Sequence, residues 1–255
     1  MRIGKTTIED LHCLLDAVGE ASRRFKTEIW WRGQGKKWPL LPGVYRQGVC
    51  IPKYTERCEK DMCIRFLLGA QQRHTSWPGD NVHALATMQH YGLPTRLLDW
   101  TESPLFALLF ALMDSNCDHE SGTLWALNPS VLNDTEIGKA NLLSPYTNDQ
   151  VKALFEAPFN IPCTVPPPDK NAAIILRQID IRMTVQLSAF TIHGKTTAID
   201  QVKGSERYLI GFTIPPEKKE NLRKQLFILG IRVSNIFPDL DHLSREIKEW
   251  QAREN

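Results

Sequence analysis

Apolar residues recur at helical spacing over much of the chain and predict its main helices. Leu11, Leu14, Leu15 and Val18 lie on one face of the first predicted helix, residues 8–24, with Thr7 as its cap. The later predicted helices cover residues 53–74, 81–91, 104–113, 217–229 and 240–252, with shorter helices between residues 129 and 154. Asp80 or Asn81 is the expected cap of the third helix, and Asp239 or Asp241 of the last.

Short apolar or alternating runs predict the strands. They cover residues 28–33, 122–127, 172–176, 182–191 and 207–214, with 231–233 as an edge strand. Because alternate residues of a strand share a face, Thr184, Gln186 and Ser188 are expected to lie together. Pro162 and the run Pro166–Pro168 predict a bend. Helices that come first and strands that come later predict an α+β fold and not a doubly wound sheet.

The densest group of polar and aromatic residues is the run from His90 to Thr101, directly before the apolar stretch 104–112. Gly92 and Pro94 are turn formers, so the run is predicted to be a shaped loop that leads into a buried helix. Polar groups held on such a loop can bind or act on a ligand.

A structural interpretation of the same run stays open. Asp99 can pair with Arg96 while Thr101 caps the following helix, so that the network fixes the loop without touching a ligand. His90 can serve as a base, although an isolated histidine is more often structural.

A second candidate is Arg32, which lies at the end of a predicted strand and is followed by Gly33 and Gly35. A guanidinium there can hold a phosphate or carboxylate through its planar donors, and the glycines let a ligand approach the backbone. The alternative is a surface ion pair. On the predicted strand 182–191, Gln186 can contact a ribose hydroxyl or can be a buried amide bonded to a neighbouring strand.

Composition limits the broad class of the protein. The chain has 255 residues, of which 42% are hydrophobic and 24% charged, which fits a single globular domain with a full core. A net charge of +2 requires neither a nucleic-acid nor a membrane partner, although a local basic patch is compatible with it. No signal peptide or spanning segment is evident, so a cytoplasmic location is expected. The six cysteines show no paired spacing, which predicts reduced thiols.

Several catalytic signatures are missing from the sequence. There is no phosphate-binding Walker loop, no dinucleotide-binding glycine motif after a strand and no serine-hydrolase elbow. The seven histidines are dispersed, so no metal is predicted.

Together these segments resemble the FRG-domain family, which is named for a Phe-Arg-Gly signature. Trp31-Arg32-Gly33 resembles that signature, and the run from His90 to Thr101 matches the longest motif of the family. Arg182 with Gln186 resembles a third motif. The resemblance spans about residues 25–250, which implies one domain over 1–255, with 130–170 as a candidate variable insertion covering the site.

The motif order is also similar, more distantly, to ADP-ribosyltransferases of the Arg-Ser-Glu type. This implies a mixed, mostly antiparallel sheet flanked by helices, with NAD as the ligand. Gln186 stands where those enzymes have a catalytic glutamate, and an amide cannot stabilise a cationic ribose by charge. Asp99 or Glu102 must then supply the carboxylate, or transfer is weak, or the nucleotide is bound without reacting.

The resemblance assigns roles to individual residues. Arg32 would hold the pyrophosphate or a ribose, while His90 and Thr101 would bond ribose hydroxyls. Tyr91 or Trp100 would stack on a ring. The implied catalytic set is Arg32, His90, Asp99, Glu102 and Gln186, and the implied ligand-binding set is Trp31, Gly33, Gln34, Tyr91, Thr95, Arg96, Trp100, Thr101, Arg182 and Ser188.

The leading expectation is an ADP-ribosyltransferase-like domain that binds NAD or a related nucleotide and transfers ADP-ribose or cleaves NAD. A bacterial toxin or phage-defence effector is the expected setting by analogy, with a protein or nucleic acid as candidate acceptor and no membrane partner. Two rivals stay open. One is a non-catalytic module that recognises a nucleotide, peptide or nucleic acid, and the other is a nuclease or other hydrolase using His90 and Asp99.

Overall fold

A seven-stranded sheet organises the computed structural model, which describes residues 3–73, 79–160 and 168–253. The strands are β1 (Ile3–Thr7), β2 (Trp30–Gln34), β3 (Leu97–Thr101), β4 (Gly122–Leu127), β5 (Asn171–Ile174), β6 (Ser188–His193) and β7 (Leu209–Ile214). Their order across the sheet is β1-β7-β4-β2-β3-β6-β5. Only β1 and β7 run parallel among these neighbours. The expected α+β class with a mixed, mostly antiparallel sheet is therefore confirmed.

Helices flank this sheet. Within the described ranges they are α1 (Leu11–Phe25), α2 (Glu56–Ala70), α3 (Asn81–His90), α4 (Pro104–Leu112), α5 (Pro129–Ile137), α6 (Asp149–Glu156), α7 (Ile181–Val185), α8 (Lys219–Ile228), α9 (Val233–Ile236) and α10 (Leu240–Arg253). Asp80 caps α3 and Asp239 bonds the first turn of α10, as the sequence predicts. Of the helices described, none is long and apolar enough to span a bilayer.

Two groups of helices cover one face of the sheet. Helices α1, α4 and α8 pack on the half formed by β2, β4 and β7. Helices α2, α3 and α6 pack on the half formed by β3, β6 and β5. The opposite face carries a separate core with three buried tryptophans, Trp30, Trp100 and Trp125. A boundary between the two helix groups therefore lies above β2 and β3.

Gly33 allows α4 to lie directly against β2. A Cβ atom at Gly33 would sit 1.8 Å from the carbonyl oxygen of Ala107, a distance that no side chain tolerates. Gly33 was predicted to let a ligand approach the backbone. The structure shows that its lack of a side chain is first of all required for the close packing of α4.

The ladder between β2 and β3 is much shorter than its neighbours. These strands pair only at Trp31 and Thr101, whereas β2 pairs with β4 at five positions. Beyond that single pair, the edges of β2 and β3 need other hydrogen-bond partners. The opening lies under the boundary between the two helix groups.

The N-terminal prediction was wrong at its start. Residues 3–7 form β1, and α1 begins at Leu11 with Asp10 as its cap in place of Thr7. The strand is an exposed edge with little apolar pattern, and its pairing with β7 depends on sequence more than 200 residues away.

The prediction of one strand over 182–191 was also wrong. Asp180 caps the short helix α7, and Leu187, with φ of 49°, turns the chain into β6. Thr184, Gln186 and Ser188 therefore do not share a strand face.

Two further elements differ from expectation. The second half of the His90–Thr101 run is strand β3 and not loop, because it pairs with β6 over five positions. The expected edge strand over 231–233 is absent from the described sheet, and Val233 begins α9 instead. The expected bend at Pro162 and Pro166–Pro168 falls mainly on residues outside the described ranges.

The expectation that all thiols are reduced was wrong for one pair. Cys50 and Cys58 form a disulfide with a Cα–Cα distance of 6.0 Å, while Cys13, Cys63 and Cys117 are free. Sequence spacing does not reveal such a bond, because it depends on how the connecting loop folds back.

Candidate functional site

A cleft of about 300 Å³ opens where the β2–β3 ladder stops. Helices α3, α4 and α7 and strand β6 complete its walls. It brings together ten of the residues selected from the sequence, namely Trp31, Arg32, Gly33, His90, Asp99, Trp100, Thr101, Arg182, Gln186 and Ser188. These residues come from three distant parts of the chain, and the described part of the 130–170 segment contributes none of the lining.

Arg32 bridges the gap between the two strands. Its Nη1 donates to the carbonyl oxygen of Asp99 at 2.5 Å and lies 4.0 Å from Oδ2 of that residue. Its Nε is buried and makes no hydrogen bond with a described residue. Burial lowers the pKa of Arg32 to about 10, and the Asp99 carboxylate opposes this effect. The guanidinium is therefore still charged at neutral pH and retains free donors.

Gln89 holds the carboxylate of Asp99. Its Nε2 donates to both carboxylate oxygens at 3.1 and 2.9 Å, while its Oε1 accepts from the Thr95 hydroxyl at 2.6 Å. The side chain of Asp99 remains about half exposed to the cleft. The sequence did not single out Gln89, because an amide on a helix gives no sign of its partner.

His90 is oriented by a second residue that the sequence did not single out. Its Nδ1 lies 2.7 Å from Oδ2 of Asp180, whose other oxygen accepts from the amide of Met183 at the start of α7. The His90 ring also packs edge-on against Tyr91. The imidazole thus lines the cleft with its orientation fixed.

Thr101 and Gln186 are occupied by bonds within the protein. The Thr101 hydroxyl donates to the carbonyl of Gln186 at 2.7 Å, and the Gln186 amide donates to the carbonyl of Ile236 at 2.8 Å. Thr101 does not cap α4, because Ser103 accepts from the amide of Phe106 in that role. These two side chains hold the turn before β6 against the C-terminal segment.

Arg182 supplies a second guanidinium to the cleft. It stacks over the ring of Phe237 at 4.4 Å from the centroid, and its side chain makes no hydrogen bond or ion pair with any described residue. Among the described lining residues, Asp99 is the only carboxylate. The cleft therefore combines two cations, one carboxylate and the rings of Trp31, Trp100, Phe110 and Phe190.

The expected pairing of Arg96 with Asp99 was wrong. Arg96 is buried and makes a two-pronged ion pair with Glu59 of α2, which also accepts from the hydroxyl of Tyr54. Arg96 and Asp99 are an odd number of positions apart along an extended segment, so their side chains leave the chain in opposite directions.

The remaining selected residues lie outside the lining of the cleft. Thr95 bonds Gln89, and Gln34 accepts from the indole of Trp125, so both have structural partners. Glu102 is exposed, and its backbone amide donates to the carbonyl of Leu187. Tyr91 is exposed on the other side of α3 and belongs to a different surface.

A buried polar chain lies behind the cleft. The indole of Trp100 donates to the Thr191 hydroxyl at 3.0 Å, and that oxygen lies 2.8 Å from Nε2 of His193. Burial, reinforced by the charges of Arg32 and Arg96, lowers the pKa of His193 to about 3. His193 is therefore neutral at physiological pH.

Comparison with known proteins identifies one domain. Residues 27–120 match the family model described as the FRG domain, so the chain carries an FRG domain, as its motifs indicated. The match includes Arg32, His90 and Asp99, while Arg182 lies beyond it. No curated protein and no solved structure matches the chain significantly. No cluster of three or more metal-ligating side chains occurs among the described residues.

Proposed function

We propose that the cleft binds NAD or a related nucleotide and that the domain acts as an ADP-ribosyltransferase or NAD glycohydrolase. The observation that carries the proposal is the presence of Arg32 and Arg182 in one aromatic-walled cleft with a single described carboxylate. Phosphate groups need fixed cationic donors, and nucleotide rings need flat apolar faces.

Arg32 is the main phosphate-binding group of this proposal. A guanidinium has five N–H donors, and one of them is used by the bond to the Asp99 carbonyl. That bond and the surrounding burial fix the plane of the group before a ligand arrives, which reduces the entropic cost of binding. Arg182, whose guanidinium carbon lies 4.4 Å from the centroid of the Phe237 ring, supplies the second contact.

Asp99 is the proposed carboxylate for the chemical step. Breaking the bond between ribose and nicotinamide leaves positive charge on the ribose while nicotinamide departs with the electron pair. An acceptor or water then adds at that carbon and loses a proton to the solvent. A carboxylate fixed close to this carbon stabilises the developing charge. Gln89 fixes Asp99, whereas Gln186 is neutral and Glu102 lies outside the cleft.

A second candidate function is nucleotide binding without reaction. It is favoured by Gln186, whose amide is neutral and already bonded to the carbonyl of Ile236. Under this alternative, Arg32 and Arg182 bind the ligand, and Asp99 serves only to hold the edge of the cleft.

Calorimetric titration with NAD and ADP-ribose, followed by chromatography for released nicotinamide, tests both functions. Binding with release of nicotinamide, alone or with a protein or nucleic-acid acceptor, supports the enzyme. Binding without release under any of these conditions supports the second candidate. Failure of both ligands to bind contradicts both.

A further inference from the structure

A second groove lies on the other side of α3 from the cleft. Ala86, Gln89 and His90 line the cleft, whereas Thr87 and Tyr91 line a cavity of about 390 Å³ between α2 and α3. We call this cavity the α2–α3 groove. The end of α3 is therefore a ridge shared by two cavities.

The α2–α3 groove is basic and carries no acid in its described lining. Arg65 and Arg73 line it, and both are exposed. Among the described residues, the side chain of Arg65 has no hydrogen-bond or ion-pair partner, and that of Arg73 bonds the backbone carbonyl of Gly69. The sequence contains no Asp or Glu between residues 62 and 79 or between 81 and 98. The described lining of the groove therefore contains two cations and no carboxylate.

The nearest acids along the chain are already engaged. Asp61 lies 3.9 Å from Nε of Arg57, and Asp80 accepts from the amide of His83 and the hydroxyl of Tyr146. Neither acid lines the groove.

The groove also presents aromatic surface. The side chain of Tyr91 is 63% exposed, and its ring is held edge-on against His90 with centroids 4.9 Å apart. Phe66 lines the same cavity. An exposed ring fixed in this way provides a stacking platform for a base.

We propose that the α2–α3 groove binds single-stranded nucleic acid. Arg65 and Arg73 place two guanidinium groups in the lining of one groove, and Arg73 reaches back to the Gly69 carbonyl at the end of α2. Two positive charges in one groove suit the phosphates of a polyanion. The exposed Tyr91 ring favours a strand with unstacked bases over an acidic peptide. Because α3 borders both cavities, a strand bound here lies close to the cleft and is placed as an acceptor if the proposed function holds. The binding itself does not depend on that function.

Fluorescence anisotropy with labelled single-stranded RNA and DNA of about ten nucleotides tests the proposal on the full chain at low salt. Arg65→Ala combined with Arg73→Ala is expected to weaken binding about tenfold or more. Tyr91→Ala is expected to weaken it about tenfold, while Tyr91→Phe retains it. Arg23→Ala combined with Arg207→Ala removes the same charge at exposed positions outside the groove and should leave binding within about twofold.

The proposal is overturned by no binding of either strand, by an equal loss of binding in the Arg23 and Arg207 control, or by equally tight binding of duplex. Displacement by polyglutamate as effective as displacement by unlabelled strand also overturns it, in favour of an acidic protein partner.

Titration of NAD into the Arg65 and Arg73 variant separates this inference from the proposed function. Those residues lie outside the cleft, so NAD should bind the variant as it binds the wild type. Loss of strand binding with NAD binding retained supports a separate groove. Strand binding by a protein that does not bind NAD contradicts the proposed function alone.

Discussion

Nη1 of Arg32 and the carbonyl oxygen of Asp99 lie 2.5 Å apart, across the point where β2 and β3 cease to pair. The side chain thereby satisfies a backbone acceptor that the missing ladder would otherwise leave unpaired. The guanidinium of Arg32 therefore has two roles: it bonds the exposed edge of β3, and it lines the cleft.

Replacement of Arg32 by lysine is expected to weaken nucleotide binding by about 10- to 100-fold, because an ammonium keeps the charge but loses the planar set of donors. Calorimetric titration with ADP-ribose measures this change. Arg46→Lys is the matched control, since Arg46 is exposed and outside the cleft lining. Equal affinity of wild type and Arg32→Lys would show that Arg32 does not contact the ligand.

Asp99→Asn is expected to reduce nicotinamide release by about 100-fold or more with little change in KM, because the amide keeps the shape but not the charge. Initial rates of NAD cleavage measure the effect. Glu102→Gln tests the other carboxylate considered from the sequence and should retain the rate, since Glu102 is outside the cleft. A loss of rate in Glu102→Gln, with the rate retained in Asp99→Asn, would assign the role of the catalytic carboxylate to Glu102.

Glu59→Ala is expected to destabilise the fold by about 3–5 kcal/mol, because it leaves the buried Arg96 charge without its partner. Urea unfolding followed by tryptophan fluorescence gives the free energy of unfolding. Asp61→Ala on the same helix removes only an exposed contact and should cost less than about 0.5 kcal/mol. Similar losses in both variants would contradict the importance of the buried pair.

Gly33→Ala is expected to destabilise the protein by about 3 kcal/mol or more, because the new methyl group collides with the Ala107 carbonyl of α4. Gly79→Ala is the control, since a Cβ atom there meets nothing within 4 Å. Thermal unfolding of the two variants makes the comparison. A stable Gly33→Ala protein would show that α4 can move away from β2.

His193 is expected to make stability depend on pH. Its pKa is about 3 when folded, against 6.5 for an ordinary histidine, so the unfolded chain binds a proton below pH 6.5 that the folded chain does not. The contribution of His193 to the free energy of unfolding is fully present above pH 6.5. It falls by up to about 1.4 kcal/mol per pH unit as the pH drops toward 3. Urea unfolding of wild type and His193→Gln between pH 7 and 5 should show a shallower slope in the variant. Identical slopes would mean that the folded protein protonates His193 as readily as the unfolded chain does.

Local sequence determined much of the secondary structure. The strand Gly122–Leu127 and the caps at Asp80 and Asp239 follow from neighbouring residues, because periodicity and capping act over a few positions. The motif residues were also recognisable along the chain, and the FRG domain match covers the first two motifs.

Only the tertiary structure decided which groups meet. Arg96 bonds Glu59, 37 residues away, and Arg32 bonds Asp99, 67 residues away. The short β2–β3 ladder depends on the order of strands in the sheet, and the turn at Leu187 separates α7 from β6. Hydrogen bonding and burial act between residues that are close in space, and the spacing of residues along a chain does not specify that proximity.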